Sequence, residues 1–267
     1  MLSNCKRIVF KVGTSTLTYK TGKLNLHHLA ALVRVLSDLR NAGLEVVLVT
    51  SGAIGVGVGK LGLVDKPQDT PGRQAAATIG QCELMFIYDK LFGEYGNTVG
   101  QLLITKSDVD DDLRRDNLVN TFEQLFAFGV IPIINENDSV AVDEIVYGDN
   151  DCLSAIVAKL IGADVLIILS DVAGLYDVDP TENAQARLIP VVEKIDDDIL
   201  NLAGGAGSDF GTGGMITKIH AAEIATAAGI NVVITDGSNP TDIYKILAGE
   251  QVGTMFCGKK QAYLEAD

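Results

Sequence analysis

The 267-residue sequence has few cysteines, few prolines, few basic residues and no long apolar run. Its four cysteines lie far apart and none belongs to a CxxC pair, which argues against a zinc ribbon or a redox motif and favours reduced thiols. No apolar run approaches the ~20 residues of a membrane helix. The chain reaches charged Lys6 and Arg7, where the first predicted strand begins, and we expect no room for a signal peptide. We therefore expect a cytoplasmic protein that does not bind membranes.

Positive charge is also scarce, with 21 Lys and Arg residues against 35 Asp and Glu residues and a formal net charge of −14. Nucleic-acid backbones require basic protein surfaces, so we expect no nucleic-acid partner. The same net charge gives an anionic ligand no long-range attraction. Any site for such a ligand must therefore gather its lysines locally.

Hydrophobic residues make up 47% of the chain, and 28 glycines accompany only 6 prolines, which suits a large core with many tight turns. Strand-like and helix-like segments alternate along the sequence. Strands are predicted at 7–12, 45–50, 98–105, 130–135, 164–169, 230–235 and 254–256, and helices at 26–41, 73–92, 152–160, 215–228 and 241–247. This alternation predicts an α/β fold, a three-layer αβα sandwich around a mostly parallel sheet. Because no linker or repeat interrupts the pattern, residues 1–267 are expected to form one domain.

A glycine-rich stretch, G-T-G-G at 211–214, leads into the alanine-rich helix predicted at 215–228. Glycine lets a backbone approach a ligand closely, and the first turn of a helix offers unpaired N–H groups and about half a positive charge. Lys218 adds a full positive charge one turn into that helix. Phosphate is the usual ligand of such a site, although a glycine-rich loop can also do no more than cap a helix.

A second lysine, Lys11, lies inside the predicted strand 7–12. A lysine near the end of a central strand is costly unless an anion lies over it; the alternative is an edge strand with Lys11 in solvent. Ser51 and Gly52 end the next strand and form a second candidate site. The G-x-G-x-x-G pattern that starts at Gly57 begins too far beyond its strand for a dinucleotide-binding turn, and indicates close packing instead.

Asparagine and aspartate side chains follow the fourth predicted strand and precede the next helix. Asn135 and Asp138 belong to the first group, and Asn150 and Asp151 to the second. Strand ends and helix starts cluster at one edge of an open α/β sheet, which would bring these four residues together. Ordinary turn and N-cap chemistry would also account for them.

Six motifs occur in order along the chain: F-K-V-G-T-S at 10–15, V-T-S-G-A at 49–53, I-N-E-N-D at 134–138, G-D-N-D at 148–151, S-D-V-A-G-L-Y at 170–176 and G-T-G-G-M-I-T-K at 211–218. Together they resemble the amino acid kinase family over essentially the whole chain. The pair I-N-E-N-D and G-D-N-D resembles the glutamate branch of that family, with Ser170 where threonine is often found. Many members of this branch carry a further carboxy-terminal PUA domain, for which this chain leaves no room, so we expect a form without it.

The resemblance implies the αβα fold of that family and ATP-dependent phosphorylation of the γ-carboxylate of L-glutamate. It also implies Mg²⁺ as the metal that accompanies ATP, a place at the first step of proline biosynthesis, feedback inhibition by proline, and a homodimer or homotetramer. A carboxylate with a pKa of about 4.3 is already a nucleophile at neutral pH. The reaction therefore needs no general base, only two anions held in line and stabilisation of the negative charge.

Carried over position by position, the resemblance also implies roles for individual residues, with the substrate mainly on the amino-terminal side and the nucleotide mainly on the carboxy-terminal side. Lys11 and Lys218 would contact the transferring phosphoryl group, and Asp151 would hold both lysines in place. Glutamate would be bound by Ser51, Asp138 and Asn150, with Asn135 a further candidate. The nucleotide would be bound by Lys11, Ser170, Asp171, Thr212, Gly213, Gly214, Met215, Ile216, Thr217 and Lys218. Gly13 and Gly52 would donate backbone N–H groups to phosphate or acyl oxygens, and no protein residue is expected as a metal ligand.

Three other functions stay open at this point. One is another kinase of the same family, such as an acetylglutamate kinase or an aspartokinase-like enzyme. The second is a non-catalytic sensor of amino acids or nucleotides. The pair Lys11 and Lys218 argues against it, because sensing does not require two cations that hold a phosphoryl group in line. The third is a dinucleotide-dependent oxidoreductase, which rests on the Gly57 pattern alone.

Overall fold

A mixed sheet of eight strands organises the described part of this computed structural model, which comprises residues 5–19, 23–140, 150–183, 185–204 and 214–258. The strands are β1 (Arg7–Val12), β2 (Glu45–Thr50), β3 (Val99–Ile104), β4 (Ile131–Glu136), β5 (Val165–Ser170), β6 (Val191–Val192), β7 (Asn231–Asp236) and β8 (Thr254–Phe256). They are ordered β3-β4-β2-β1-β5-β7-β8-β6. Every neighbouring pair is parallel except β7 and β8, which are antiparallel. The prediction of a mostly parallel sheet is confirmed.

The central strands are apolar on both faces because helices cover both sides of the sheet. The helices are α1 (Thr14–Leu17), α2 (Leu26–Asn41), α3 (Ala53–Leu61), α4 (Thr70–Gly93), α5 (Lys106–Asp110), α6 (Asp112–Ala127), α7 (Asn150–Leu160), α8 (Asp197–Ala203), α9 (Met215–Ala227) and α10 (Asp242–Ala248). In β1, Ile8 and Phe10 belong to the core shared with α2 and α4. Val9 belongs to the opposite core, shared with α7 and α9. This arrangement is the predicted three-layer αβα sandwich.

Strand β1 lies in the middle of the sheet, paired with β2 on one side and β5 on the other. Lys11 is in register with Val49 of β2 and Ile168 of β5. The alternative of an exposed edge strand is therefore wrong, and the Lys11 side chain is only 5% exposed. A buried lysine at this place requires a partner of opposite charge.

Helix α3 contains the glycines that formally matched a dinucleotide-binding pattern. An ideal Cβ on Gly57 would lie 1.9 Å from the carbonyl oxygen of Ala76, and one on Gly80 would lie 1.7 Å from that of Ala53. These glycines therefore let α3 and α4 pack backbone against backbone, as predicted. Because the pattern lies within a helix and not in a strand-to-helix turn, the dinucleotide interpretation is wrong.

Helix bounds differ from the predictions mainly at the amino-terminal ends. Helix α4 begins at Thr70, before the predicted 73, because the Asp69 carboxylate accepts a hydrogen bond from Gly72 N at 3.0 Å and caps the helix. Helix α7 begins at Asn150, before the predicted 152. Helices α1, α3, α5, α6 and α8 have no counterpart among the helices predicted above. In the described residues no helix has both the length and the apolar character to cross a membrane.

Candidate active site

Three charged side chains from distant parts of the chain meet near the carboxyl end of β1, and we call them the charged cluster: Lys11, Asp151 and Lys218. Lys11 lies in β1, Asp151 in the first turn of α7, and Lys218 in the first turn of α9. Lys11 Nζ is 2.6 Å from Asp151 Oδ1, and Lys218 Nζ is 3.1 Å from Asp151 Oδ2. Thr217 Oγ1 also donates to Asp151 Oδ2 at 3.1 Å.

The charged cluster is almost entirely removed from solvent. The Asp151 side chain is 0% exposed, and those of Lys11 and Lys218 are 5% and 6% exposed. Burying charges is tolerated when they are paired, and here one carboxylate bridges two ammonium groups. The three side chains carry a formal charge of +1 together, and the amino-terminal end of α9 adds its own partial positive charge. Such an arrangement favours an anion as ligand.

Beside the charged cluster, a line of hydrogen-bonded side-chain amides, which we call the amide chain, joins α7, β4 and α4. Asn150 Nδ2 is 2.8 Å from the carbonyl oxygen of Thr50, 2.9 Å from Ser51 Oγ and 2.8 Å from Asn135 Oδ1. Asn135 Nδ2 in turn donates to Gln81 Oε1 at 2.9 Å. The amide chain therefore fixes the ends of β2 and β4 relative to the first turn of α7.

A cavity of about 330 Å³, the main cavity, opens next to the amide chain. Its lining combines backbone of the first turn of α3 with polar and charged side chains: Thr14, Gly52, Ala53, Ile54, Gly55, Lys66, Asn135, Glu136, Asp138 and Asn150. Gly52 precedes α3 with φ of 99°, a left-handed conformation that a residue with a Cβ rarely adopts. A volume of this size suits a small metabolite.

The main cavity presents charges of both signs. Burial raises the pKa of the Asp138 carboxyl, and Lys66 partly opposes that shift. Burial and, to a smaller extent, the neighbouring Asp138 raise the pKa of Glu136. Carboxylates with raised pKa values are short of compensating interactions, and a ligand ammonium group would supply one. The cavity is therefore suited to a molecule that carries both an ammonium group and a carboxylate.

The loops after β1 and β2 lie side by side at the same edge of the sheet. An ideal Cβ on Gly13 would lie 3.7 Å from Lys11 Nζ, and one on Gly52 would lie 3.7 Å from Thr14 Cγ2. Gly13 therefore lies beside the charged cluster, and Gly52 lies beside Thr14 at the main cavity. Ser51, at the end of β2, joins the same region through Asn150.

The residues predicted to bind a nucleotide are described only in part. Ser170 ends β5, is buried, and donates from Oγ to Asp171 Oδ1 at 3.1 Å. Gly214 caps α9, and Met215, Ile216 and Thr217 form its first turn with Lys218. Thr212 and Gly213 lie outside the described residues. Because β5 neighbours β1 in the sheet, Ser170 lies one strand away from Lys11.

Four residues at this site were not singled out from the sequence: Thr14, Lys66, Gln81 and Glu136. Glu136 is part of the I-N-E-N-D motif and Thr14 of the F-K-V-G-T-S motif, and these two motifs were the available signals. Lys66 lies between α3 and α4, outside any periodic pattern. Gln81 is a buried polar residue inside a long helix, where sequence alone favours a solvent-facing interpretation.

Comparisons with known proteins agree along the whole length of the fold. Residues 6–236 match the amino acid kinase family. A glutamate 5-kinase from Clostridium tetani is 56% identical over 255 residues, which cover 96% of this chain and 96% of that protein. A glutamate 5-kinase from Listeria welshimeri is 53% identical over 266 residues, which cover 98% of this chain and 96% of that protein. The structure of a carbamate kinase from Giardia lamblia bound to AMP-PNP superposes with a TM-score of 0.66 at 18% identity, covering 96% of this chain and all of that one, which shows a shared fold.

Proposed function

The chain belongs to the amino acid kinase family, and from this premise we propose that it transfers the γ-phosphoryl group of ATP to the γ-carboxylate of L-glutamate. The product is L-glutamyl 5-phosphate, and the reaction is the first step of proline biosynthesis. Relatives at more than 50% identity over nearly the whole chain are glutamate 5-kinases. The observation that carries the proposal is the charged cluster, in which two lysines meet on one buried carboxylate beside a cavity for a small zwitterion.

In this proposal, the main cavity binds glutamate and aims its γ-carboxylate toward the charged cluster. Asp138 pairs with the α-ammonium group, and Ser51, Asn135 and Asn150 position the substrate through hydrogen bonds. Gly13 and Gly52 offer backbone N–H groups to phosphate or acyl oxygens. The γ-carboxylate attacks the γ-phosphorus, the bond between that phosphorus and the β,γ-bridging oxygen breaks, and ADP leaves. No proton has to be removed from the nucleophile, so no histidine takes part.

Lys11 and Lys218 stabilise the negative charge that spreads over the transferring phosphoryl group. Donors that are already in place before the reaction are commonly worth ~3–4 kcal/mol each in a transition state. Asp151 binds an ammonium group with each carboxylate oxygen, and so holds two like charges close together at a fixed separation. Without that carboxylate the two lysines would repel each other, and their alignment with the phosphoryl group would be lost.

The nucleotide binds along the carboxyl ends of β5 and β1, with Ser170 and Asp171 on one side and residues 214–218 on the other. Thr212 and Gly213, outside the described residues, are proposed as further nucleotide-binding residues. The first turn of α9 provides backbone N–H groups for its phosphates. ATP brings Mg²⁺ with it, and this metal is generally held by phosphate oxygens, water and one or two carboxylates. When bound, the metal neutralises phosphate charge.

Four further properties are proposed together with this activity. Proline, a small zwitterion, inhibits by occupying the main cavity, and unchanged initial rates in millimolar proline would exclude this. The protein acts in the cytoplasm as one domain and forms a dimer or tetramer, which exposed apolar side chains such as Val64 and Phe86 support. Sedimentation of the purified protein would measure its assembly state.

The acceptor is tested by offering glutamate, N-acetylglutamate and aspartate separately, each with ATP, Mg²⁺ and hydroxylamine. Hydroxylamine traps an acyl phosphate as a coloured hydroxamate. We expect hydroxamate with glutamate and background levels with the other two. A product from N-acetylglutamate or aspartate would identify a different kinase of the family, and no product from any acceptor would favour a sensor.

A further inference from the structure

Gln81 is a buried polar residue on the core-facing side of α4, and it is only 7% exposed. The apolar residues one turn away on either side, Ala77 and Leu84, belong to the core. An amide at such a position is unfavourable unless it is hydrogen-bonded. Its bonded atom, Oε1, accepts from Asn135 Nδ2 at 2.9 Å. The residue therefore ends the amide chain that begins at Asn150.

The direction of donation along the amide chain is determined by a backbone group. The carbonyl oxygen of Thr50 can only accept a hydrogen bond, so the Asn150 atom next to it, at 2.8 Å, must be the amide nitrogen. The same nitrogen then donates to Asn135 Oδ1. Asn135 must in turn present its nitrogen to Gln81 Oε1. One orientation of every amide follows from this single contact.

We infer that Gln81 is a positioning residue for glutamate, which it serves by holding the Asn135 side chain in the one orientation that accepts from Asn150. Among the described residues, Gln81 Oε1 is the acceptor for Asn135 Nδ2, and Asn135 is 2% exposed, so water does not readily replace it. Without this acceptor, the buried Asn135 Nδ2 would lose its hydrogen-bond partner, and among the contacts described the bond from Asn150 alone would hold the Asn135 amide. The inference rests on the proposed function, because the ligand it positions is glutamate.

The other end of the Gln81 amide supports a role at the substrate pocket. Gln81 Nε2 is buried and has no hydrogen-bond partner among the residues that the structure describes. Gln81 also lines a second, small cavity of about 30 Å³ together with Glu136 and Asp138, two residues of the main cavity. The amide chain therefore extends from the end of β2 to the space beside the carboxylates proposed to bind the substrate ammonium group.

Replacing Gln81→Met tests this inference, because methionine has a similar length and fills the core but accepts no comparable hydrogen bond. We expect the KM for glutamate to rise about fivefold to tenfold, the range for one buried hydrogen bond, with kcat and the KM for ATP within about twofold of the parent. Leu84→Ala, one turn along the same helix, is the matched control. It should lower the melting temperature and leave the KM for glutamate unchanged.

A double-mutant cycle with Asn135→Ala separates positioning from general destabilisation. If Gln81 acts through Asn135, adding Gln81→Met to Asn135→Ala changes the KM for glutamate by less than about twofold. If the fold-changes in the KM for glutamate of the two single variants multiply in the double variant, the inference is overturned. A Gln81→Met variant with the KM of the unmodified protein would overturn it as well. An unmodified protein that makes no glutamyl hydroxamate would refute the proposed function itself, and that outcome is distinct from an active protein insensitive to Gln81.

Discussion

The charged cluster and the amide chain lie side by side and are built on opposite electrostatic principles. In the charged cluster, formal charges are held at 2.6 and 3.1 Å with almost no solvent. In the amide chain, neutral groups at 2.8 to 2.9 Å fix geometry and add no net charge. Interactions with charged groups strengthen as negative charge develops in a transition state. Neutral hydrogen bonds, in contrast, stabilise the bound substrate and the transition state about equally. The first group is therefore expected to control kcat, and the second the KM for glutamate.

The largest effect is expected at Lys218. Lys218→Ala removes one of the two cations proposed to contact the transferring phosphoryl group, and we expect turnover to fall about a hundredfold or more. Lys159→Ala, at an exposed lysine on α7, is the matched control and should keep parental kcat. Steady-state rates with saturating ATP and glutamate measure both variants, and circular dichroism checks that each is folded. Unchanged turnover in Lys218→Ala would contradict the expectation that the charged cluster controls kcat.

Asp151→Asn tests whether the carboxylate only organises the two lysines. Asparagine keeps the shape of the side chain but removes the charge that holds the ammonium groups together, so we expect kcat to fall about tenfold to a hundredfold. The KM for glutamate should change by less than about threefold. A variant with normal kcat and a much higher KM would instead place Asp151 among the residues that bind glutamate.

The close approach of α3 and α4 offers a test through packing alone. Gly80→Ala would place a Cβ 1.7 Å from the carbonyl oxygen of Ala53, which forces the helices apart. We expect a loss of about 1–3 kcal/mol in unfolding free energy and a raised KM for glutamate, because Ala53 lines the main cavity. Gly93→Ala in the same helix, where a Cβ meets nothing within 4 Å, should be neutral or slightly stabilising. Urea unfolding measures both, and equal stability of the two would contradict the packing.

The smallest effect is expected in the pH dependence of substrate binding. Because burial raises the pKa of Asp138, this carboxylate begins to protonate at a higher pH than an ordinary aspartate and then attracts the substrate ammonium group less. We expect kcat/KM for glutamate to fall as the pH is lowered through that raised pKa. In Asp138→Asn the remaining acid limb should reflect Glu136, whose pKa is also raised by burial. An unchanged pH profile in this variant would remove Asp138 from recognition of the ammonium group.

The raised pKa of Asp138 also affects stability, with a pH dependence opposite to that of the usual carboxyl, whose pKa is lowered on folding. A carboxyl with a raised pKa in the folded state binds more protons in the native than in the unfolded state. Its contribution to the free energy of unfolding is therefore fully present below the unfolded pKa. That contribution is lost as the pH rises through the folded pKa. Asp138→Asn should therefore unfold at a higher temperature than the parent at neutral pH. Calorimetry at acidic and neutral pH would show whether the difference grows with pH.

Much of the fold could be predicted because its strands are short β-branched runs. The bounds 7–12 and 45–50 agree with β1 and β2 residue for residue, and 254–256 agrees with β8. Strand order and the antiparallel β8 depend on contacts between distant segments, which periodicity does not report. Helix α3 was missed because its glycines lower helix propensity. In the structure, Gly57 of this helix permits the close packing against α4.

The site divides in a similar way. Lys11 and Lys218 were singled out from their local sequence, but their meeting on Asp151 was implied only by motifs that resemble a family. No spacing rule joins residues separated by 67 positions, as Asp151 and Lys218 are. Gln81 was missed because a single glutamine among the apolar positions of a helix carries no periodic signal. Its partner Asn135 lies 54 residues away, and only the packing of α4 against the end of β4 brings the two amides together.

Asn150 and Asp151 are consecutive residues, and one turns toward the amides while the other turns toward the lysines. A single peptide unit, with α-carbons about 3.8 Å apart, therefore fixes the distance between the amide chain and the charged cluster. Neither half can slide independently of the other. Inserting one residue between them would rotate the following turn by about 100° and separate the two groups even though both side chains were kept.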